Sequence, residues 1–588
     1  MLLSSLRLLL LAPIYAAVSK QTITKHEDAF SESLTLHPLP DGRMSVLFEF
    51  ETTFSSSGTS SRISQSHHSL TPPSLLLPLE KNNVSELTIS FTSGWDQARS
   101  SSSGLLNYES SGGGGEIRGW LKDSNDVEER WNSVTNALGG LFCAGLGQKD
   151  KGDNTRDFGG IYPQKRKIDN TTHFLLSHPE SQLCTENLTP FLSLLPSKGI
   201  SGLSALLSQP GIIFSWESQS EGIEVLMPDR NAQGRWKGWW EGIIDLVPSN
   251  NVNGNGNDNQ RNRNFSIEKI FRKKIPNPFP ESQRSILRLI TENDNMKTSP
   301  QGRKSQRWID GKCRDVVEWD LKDKNLTGQN IEFWWNGENS FQYPRHIPPP
   351  PITVTRTVID KLASDGTFQI TIINNDNIER RAIYSEIWPW WVKGWMSEIE
   401  IFVENKKRPE LLEDLSYNPS KPPTISTTTL HFTLTIPAKS QLILRIPFSK
   451  LTLKYTEHRP DAERGIEISS GILTLLDTLS EQQTSSSSYD SNEQEGEISG
   501  YNPRRTGRKR IYTNRLLLDI PTPDFSMPYN VIIMSSTVMA VFFGLMQGVL
   551  TRKWGWVEVS QKSDKTSSIV QKEQKQIVKN VSQSELYE

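Results

Sequence analysis

Residues Thr427–Ile436 read TTTLHFTLTI, with Leu, Phe, Leu and Ile at every second position and polar side chains between them. Successive side chains of a strand point to opposite faces, so this stretch predicts a strand with one buried face. Four neighbouring stretches continue the pattern at short spacing: Thr367–Ile373, Arg381–Ile387, Ser440–Ile446 and Leu451–Tyr455. Together they predict a meander of strands that forms a sandwich-like β domain.

The rest of the chain adds further strands and a few helices. Met44–Phe54 and Glu86–Thr92 also alternate, whereas Asp126–Phe142 has apolar residues at helical spacing. The predicted fold is therefore mainly β with some helices (α+β), built from sandwich-like β domains. We place an N-terminal domain at residues 20–345. A C-terminal β-sandwich-like domain with a juxtamembrane loop follows at 346–526.

Both ends of the chain indicate a membrane protein. Residues 1–19 carry one arginine, a short apolar run and small residues, which is the layout of a secretory signal peptide. Residues 527–551 contain no charged side chain and are long enough to cross a bilayer as a helix. A cleaved signal fixes a type I orientation, with the bulk in the lumen and the tail, 552–588, in the cytosol.

Composition excludes some functions. The 588 residues contain 65 Lys and Arg against 67 Asp and Glu, so the chain lacks the basic excess of a nucleic-acid-binding protein. Its three cysteines, Cys143, Cys184 and Cys313, are too few for a disulfide scaffold. An odd number in a secreted context suggests that one pairs with another chain or stays free.

No catalytic or cofactor motif is evident. The sequence contains no Walker A, G-x-G-x-x-G or G-x-S-x-G pattern. His26-Glu27 begins like a zinc-protease motif but lacks the second histidine, so we expect no metal site. We therefore expect no catalytic residues and no cofactor in this chain.

Tryptophans are grouped in three places: RWKGWWEG at 235–242, EFWWNGE at 332–338 and WPWWVKGW at 388–395. Such rings stack on sugars, anchor subunit interfaces, anchor a membrane-proximal face in the bilayer interface or simply fill a core. They keep open an alternative function, that of an independent lumenal or cell-surface glycan-binding protein or glycoside-acting enzyme.

Two weaker patterns concern modification and helix packing. Five Asn-x-Ser/Thr sequons in the outer part are candidates for N-glycosylation: Asn83, Asn170, Asn187, Asn264 and Asn325. Gly544 and Gly548 are spaced by four residues in the span, which permits close packing of a partner helix.

Four segments are distinctive: PTPDFSMPYNV at Pro521–Val531, which is the longest, CTENLTP at Cys184–Pro190, YTEHRPDAERG at Tyr455–Gly465 and WPWW at Trp388–Trp391. They resemble segments of the PIG-T family, the lumenal single-span subunit of the glycosylphosphatidylinositol (GPI) transamidase. The sequence departs from the family mainly in loops 249–264 and 481–500.

The resemblance implies a non-catalytic scaffold subunit in the endoplasmic reticulum membrane, within the complex that attaches GPI anchors to proprotein C-termini. It implies that Cys184 forms an interchain disulfide with the caspase-like catalytic subunit, and that other membrane subunits are partners. It also implies that the juxtamembrane region helps to form the GPI-lipid site, with these candidates: Pro521, Pro523, Asp524, Phe525, Met527, Pro528, Tyr529 and Asn530.

Overall fold

The fold was analysed in a computed structural model. The structure describes residues 28–552, apart from gaps at 40–41, 55–69, 95–109, 143, 145, 147–153, 157–160, 167, 181–182, 230–231, 247–263, 292–294, 310–311, 324, 327, 337–348, 361–363, 421–425, 455–456, 459–464, 477–508 and 521–525. The predicted signal peptide, 1–19, lies outside the described residues, as does nearly all of the predicted tail. The expected fold class is confirmed, since strands predominate, helices are few, and one apolar helix lies at the C-terminal end.

Within its described residues, the N-terminal part contains strands and six short helices. The strands are β1 (Ala29–Pro38), β2 (Arg43–Phe54), β3 (Val84–Ser93), β4 (Gly114–Lys122), β5 (Asn154–Arg156), β6 (Thr171–His178), β7 (Ser218–Leu226), β8 (Gly234–Asp245), β9 (Asn264–Ser266), β10 (Ser282–Ile290), β11 (Met296–Ser299), β12 (Arg303–Ile309), β13 (Lys312–Asp320) and β14 (Glu332–Trp335). The helices are α1 (Pro73–Lys81), α2 (Val127–Leu141), α3 (Thr185–Leu194), α4 (Ser204–Leu207), α5 (Pro210–Ile213) and α6 (Ile267–Phe271).

Eleven of these strands form one large sheet in the order β12-β13-β10-β1-β2-β8-β7-β3-β4-β6-β5. Its neighbours pair antiparallel except β1 and β10, which are parallel. Strands β11, β14 and β9 make a separate small sheet. The predicted strands Met44–Phe54 and Glu86–Thr92 are confirmed as β2 and β3, and the predicted helix at 126–142 as α2.

The two faces of the large sheet differ in polarity. On one face, Phe48 and Phe50 of β2 and Trp240 of β8 are fully buried in the core that the helices cover. On the other face, Glu49 of β2 accepts a hydrogen bond from Lys237 of β8 at 2.5 Å. Because side chains alternate along a strand, Phe48, Phe50 and Trp240 turn to one side and join this core, whereas Leu47 and Trp239 turn to the other side and belong to a separate small buried cluster.

The C-terminal part, from Ile352 to Leu518, is a sandwich of antiparallel sheets. Its strands are β15 (Ile352–Asp360), β16 (Asp365–Asn374), β17 (Arg380–Trp388), β18 (Val392–Gly394), β19 (Glu400–Val403), β20 (Lys406–Lys407), β21 (Leu412–Asn418), β22 (Thr428–Ile436), β23 (Ser440–Lys450), β24 (Ile466–Ile468), β25 (Ile472–Leu475), β26 (Arg510–Tyr512) and β27 (Leu516–Leu518), with 3-10 turns at Met396–Glu398 and Pro409–Leu411.

One sheet of the sandwich runs β15-β16-β23-β19-β20, with β18 also paired to β23, and the other runs β21-β22-β17-β25-β26. Strands β24 and β27 form a separate pair. Phe368 of β16 stacks between Trp388 of β17 and Phe448 of β23, at ring-centroid distances of 5.0 and 4.2 Å. The core thus joins both sheets, as a sandwich requires.

One predicted strand is wrong. The expected break after Ile446 and the new strand at Leu451–Tyr455 are absent, because β23 continues through Pro447 to Lys450, and 451–454 are not in a strand. Proline cannot donate to a strand ladder. Here it lies between the last β19 pair, Glu400 with Arg445, and the first β18 pair, Gly394 with Phe448. The interruption of the neighbouring strand leaves room for the proline.

A buried ion pair links the two sheets of the sandwich. Arg356 of β15 donates to Glu386 of β17 at 2.8 Å, and both side chains are fully buried. The same guanidinium donates to the carbonyls of Ser469 and Asn514, at 2.8 and 3.0 Å. Glu386 also accepts from the indole of Trp388 at 2.5 Å. These hydrogen bonds offset much of the cost of burying the two charges.

The residues up to Pro521 form one compact unit, and those from Thr522 form a second. Within the first unit, Ile161, Tyr162 and Leu175 pack with Ile472 and Tyr512 in a small cluster where the large sheet meets the sandwich. The second unit contains the long helix α7 (Ser526–Thr551).

Candidate functional site

Cys184 lies at the N-cap of helix α3, with an extended backbone at φ −139° and ψ 178°. Its side chain is exposed and its thiol is free. Its backbone N–H donates to Oδ1 of Asn187 at 2.9 Å, and its thiol donates to the same oxygen at 3.2 Å. A side chain three residues into a helix that reaches back to the N-cap satisfies an otherwise unpaired donor and fixes the first turn.

Asn187 also ties this turn to another helix. Its Nδ2 donates to the carbonyl of Phe142, the residue after α2, at 3.1 Å, and Asn187 is only 2% exposed. Phe142 in turn packs on Phe91 of β3, with ring centroids 5.7 Å apart. Both polar ends of the Asn187 side chain are therefore used inside the protein.

The rest of helix α3 is held by its apolar face. Leu188, Phe191 and Leu194 are buried. The Phe191 ring lies 5.7 Å from Trp240 and 6.3 Å from Phe50, both in the core of the large sheet. The N-terminus of α3, which carries the exposed thiol, is therefore held in place by packing of the helix on the large sheet.

The other cysteines have different settings. Cys313 lies in β13 and is also an exposed, free thiol. Cys143 lies outside the described residues.

The sequons are not equivalent. Asn83 and Asn170 are exposed and adopt left-handed backbone angles, with φ of 52° and 54°, and Asn325 is exposed as well. Asn264 is half-buried in β9. At Asn187 the atom to which a glycan would attach, Nδ2, is buried and donates to the carbonyl of Phe142. Sequence reasoning missed this because a sequon is defined by three adjacent residues.

Helix α7 is built to cross a membrane. Residues Tyr529–Thr551 are long and apolar enough to span a bilayer. Its hydroxyl groups are satisfied within the helix, since Ser535 donates to the carbonyl of Ile532 at 3.0 Å and Ser536 to that of Ile533 at 2.9 Å. Such bonds remove the cost of carrying hydroxyls in hydrocarbon.

Gly544 and Gly548 lie on one face of this helix, and nothing lies within 4 Å of the position a Cβ would occupy on either. Ser536 and Ala540 extend the same face upstream at four-residue spacing. Sequence reasoning had picked out only the two glycines. Small side chains in such a row let a second helix approach closely.

The predicted lipid-site residues are partly covered by the structure. Pro521, Pro523, Asp524 and Phe525 lie outside the described residues. Met527 and Pro528 belong to the first turn of α7. Tyr529 and Asn530 follow and are exposed.

Most of the clustered tryptophans belong to cores. Trp236, Trp239 and Trp240 are fully buried, and Trp388 and Trp391 are at most 2% exposed. In the second cluster Trp335 is buried and Trp334 half-buried. Rings inside a core cannot stack on a sugar, so packing explains these clusters. In the third cluster Trp390 is half-buried, and Trp395 is 43% exposed.

A small polar cavity of about 30 Å³ lies beside the cluster that joins the large sheet to the sandwich, lined in part by Glu86, Tyr162, His173 and Arg510. Burial raises the pKa of Glu86 to about 7 and lowers that of His173 to about 3. The Arg510 guanidinium lies 4.5 Å from the centre of the Tyr162 ring. The cavity is of the size that holds ordered water.

No group of three or more His, Cys, Asp or Glu side chains that could hold a metal ion occurs among the described residues. The described parts of the chain define a β protein with a single membrane-spanning helix and an exposed free thiol on a helix cap. The chain belongs to the Gpi16 family, described as the Gpi16 subunit, GPI transamidase component, whose family model matches residues 13–579.

Relatives of this family cover almost the whole chain. The human GPI-anchor transamidase component PIGT is 28% identical over 546 residues, 89% of this chain and 90% of that protein. GPI16 of Saccharomyces cerevisiae, a GPI transamidase component, is 26% identical over 589 residues, 91% of this chain and 90% of that protein. The PIG-T homolog of Schizosaccharomyces pombe is 28% identical over 546 residues, with 90% of each chain covered. The family resemblance predicted from the sequence is thus confirmed.

Proposed function

We propose that this chain is a non-catalytic scaffold subunit of the GPI transamidase, the complex that attaches GPI anchors to proprotein C-termini. The observation that carries the proposal is the family match over residues 13–579, together with relatives named as components of that transamidase. The chain spans about nine-tenths of those relatives, so its role is expected to be that of the whole subunit.

Cys184 is proposed as the covalent link to the caspase-like catalytic subunit. An interchain disulfide needs a thiol that a partner can reach, and Cys184 is exposed and unpaired within this chain. The hydrogen-bonded first turn of α3 supports the proposal, because a turn that is already ordered loses less conformational entropy on binding. The lumen of the endoplasmic reticulum is oxidising enough for such a bond.

The membrane part is proposed to hold the complex together and to help form the GPI-lipid site. The Ser536–Gly548 face of α7 supports packing against another membrane subunit. The juxtamembrane residues, of which Tyr529 and Asn530 are exposed, are proposed to contact the lipid. The protein would sit in the endoplasmic reticulum membrane in a type I orientation, with its tail in the cytosol.

We also propose the division into domains at residues 345 and 346. Separate cores support it, one reaching from Phe30 to Trp335 and the other from Ile352 to Ile520. The alternative, a glycan-binding or glycoside-acting protein, has less support because most of the clustered tryptophan rings are buried.

The test compares Cys184→Ser with Cys313→Ser in the native membrane. Both cysteines are exposed free thiols, so the second variant is a matched control for losing a surface thiol. On non-reducing electrophoresis, wild type and Cys313→Ser should run as a heterodimer with the caspase-like subunit, and Cys184→Ser as separate chains. Loss of the heterodimer in the control alone, or a monomer in wild type, would remove the disulfide proposal. GPI attachment unaffected by deletion of the chain would remove the proposed function.

A further inference from the structure

One end of the sandwich carries four exposed apolar side chains, which we call the apolar rim. They are Ile359 at 42%, Trp395 at 43%, Leu451 at 40% and Leu517 at 58% relative exposure. Single exposed apolar residues are common on soluble proteins, so the informative fact is that these four share one end.

Strand register brings the first three together. Ile359 of β15 is opposite Thr367 of β16, which in turn is opposite Pro447 of β23. The backbone N–H of Trp395 donates to the Pro447 carbonyl at 2.9 Å. That of Leu451, just after β23, donates to the carbonyl of Trp391 at 2.8 Å. These residues therefore surround the end of the sandwich at which β17 stops.

Leu517 reaches the same end along the other sheet. Strand β25 is antiparallel to both β17 and β26, so β26 runs in the direction of β17, toward its last residue, Trp388. The chain then continues into β27, which pairs Leu518 with Ile466. Strand β27 thus extends toward the end that carries Trp395 and Leu451.

The chain leaves the sandwich for the membrane at this end. Ile520 is still in the core at 7% exposure. Only residues 521–525 separate it from Ser526, the first residue of α7. Six residue steps cover at most about 20 Å when fully extended. The covalent link therefore limits the distance between Ile520 and Ser526 to about this length.

We propose that the apolar rim rests in the headgroup layer of the bilayer that α7 crosses. Tryptophan prefers this layer because its ring is apolar and its N–H is polar. The indole N–H of Trp395 already donates to Ser449 at 2.8 Å, and the Lys393 ammonium lies 5.4 Å from the ring centre. A lysine beside such a ring can reach the phosphates while its stem stays in the apolar layer. The proposal rests on the span and is independent of the transamidase role.

A photo-crosslinking experiment on the full chain in native membranes tests this. Benzoylphenylalanine replaces Trp395 in one variant and Leu517 in another. Ile378 is the matched control, because it is also exposed, at 60%, but lies at the opposite end of the sandwich, just before the first residue of β17. The nine residues of β17 separate the two ends by about 26 Å, well beyond a headgroup layer of about 5–8 Å.

Mass spectrometry of the irradiated protein then identifies what each position touches. Phospholipid adducts at positions 395 and 517 should exceed those at 378 by at least about tenfold, because only the rim lies within the headgroup layer. Adducts mainly with another protein at 395 or 517 would overturn the proposal in favour of a subunit interface. Equal lipid labelling at all three positions, or none, would overturn it as well.

Discussion

Replacing Asn187 by alanine should loosen the turn that presents Cys184 without changing glycosylation. The substitution removes the acceptor for the Cys184 N–H, 2.9 Å away, and the donor to the Phe142 carbonyl, 3.1 Å away. Loss of a cap costs about 1 kcal/mol, and an unpaired buried carbonyl about 1–3 kcal/mol. The sum of about 2–4 kcal/mol corresponds to a roughly 30- to 700-fold rise in local opening of the first turn of α3.

The assay is hydrogen exchange of the α3 amides in the full-length protein, read by mass spectrometry. Thr189→Ala is the control, because Thr189 is exposed and its loss destroys the same sequon while leaving Asn187 in place. Exchange should accelerate in Asn187→Ala and stay at the wild-type rate in Thr189→Ala. If Thr189→Ala instead migrates faster on a gel, as a chain that has lost a glycan, then Asn187 is modified and the structural role is refuted. Unchanged exchange in Asn187→Ala would refute it equally.

Three further predictions concern stability and assembly. Burial raises the pKa of Glu86 from an ordinary 4.5 to about 7. The folded protein therefore keeps this proton over a pH range in which the unfolded chain has already lost it. As a result, the unfolding free energy should fall as pH rises from 4.5 to 7, by at most about 3 kcal/mol. Thermal unfolding at pH 5 and 7.5 should show a weaker fall for Glu86→Gln, and an equal fall in both proteins would contradict this. Arg356→Met leaves the charge of the buried Glu386 carboxylate without a partner, so the unfolding free energy, measured with denaturant, should fall by about 3–5 kcal/mol. A fall of less than about 1 kcal/mol would show that the ion pair is dispensable. Gly548→Leu should reduce the co-purification of membrane subunits, because the larger side chain keeps a partner helix away. Val549→Leu, which lies on another face of α7, should not reduce it. Equal recovery of partners with both variants would exclude packing on the small-residue face.

The elements with a strong local pattern were predictable from the sequence. The alternation in 427–436 predicts strand β22, and the uncharged stretch at 527–551 predicts α7, because side-chain period and apolar length are read directly along the chain. The strand predicted at 451–455 was wrong for a non-local reason. Pro447 does not end β23, because it lies at the gap between the neighbouring strands β18 and β19. The position of that gap cannot be read from the sequence of β23.

The candidate site was predictable in part. Cys184 was found through its resemblance to a family segment, and the structure places it on an exposed helix cap. The tryptophan clusters left core packing, sugar binding, a subunit interface and a membrane-proximal face all open, since composition does not say which face of a strand is covered. Burial of Trp236, Trp239 and Trp240 favours packing.

The sequence by itself determined the class of fold, the membrane span, the family and the cysteine that is proposed to bind a partner. Each of these is encoded in contiguous residues, through periodicity, length or a motif. Only the tertiary structure decided that the Asn187 sequon is a buried clamp, that the tryptophans fill cores, and that Ile359, Trp395, Leu451 and Leu517 share one end of the sandwich. The physical reason is the same in all three cases. Exposure and hydrogen-bond partners are set by residues far apart in the chain, such as Phe142, 45 positions before Asn187, which only folding brings into contact.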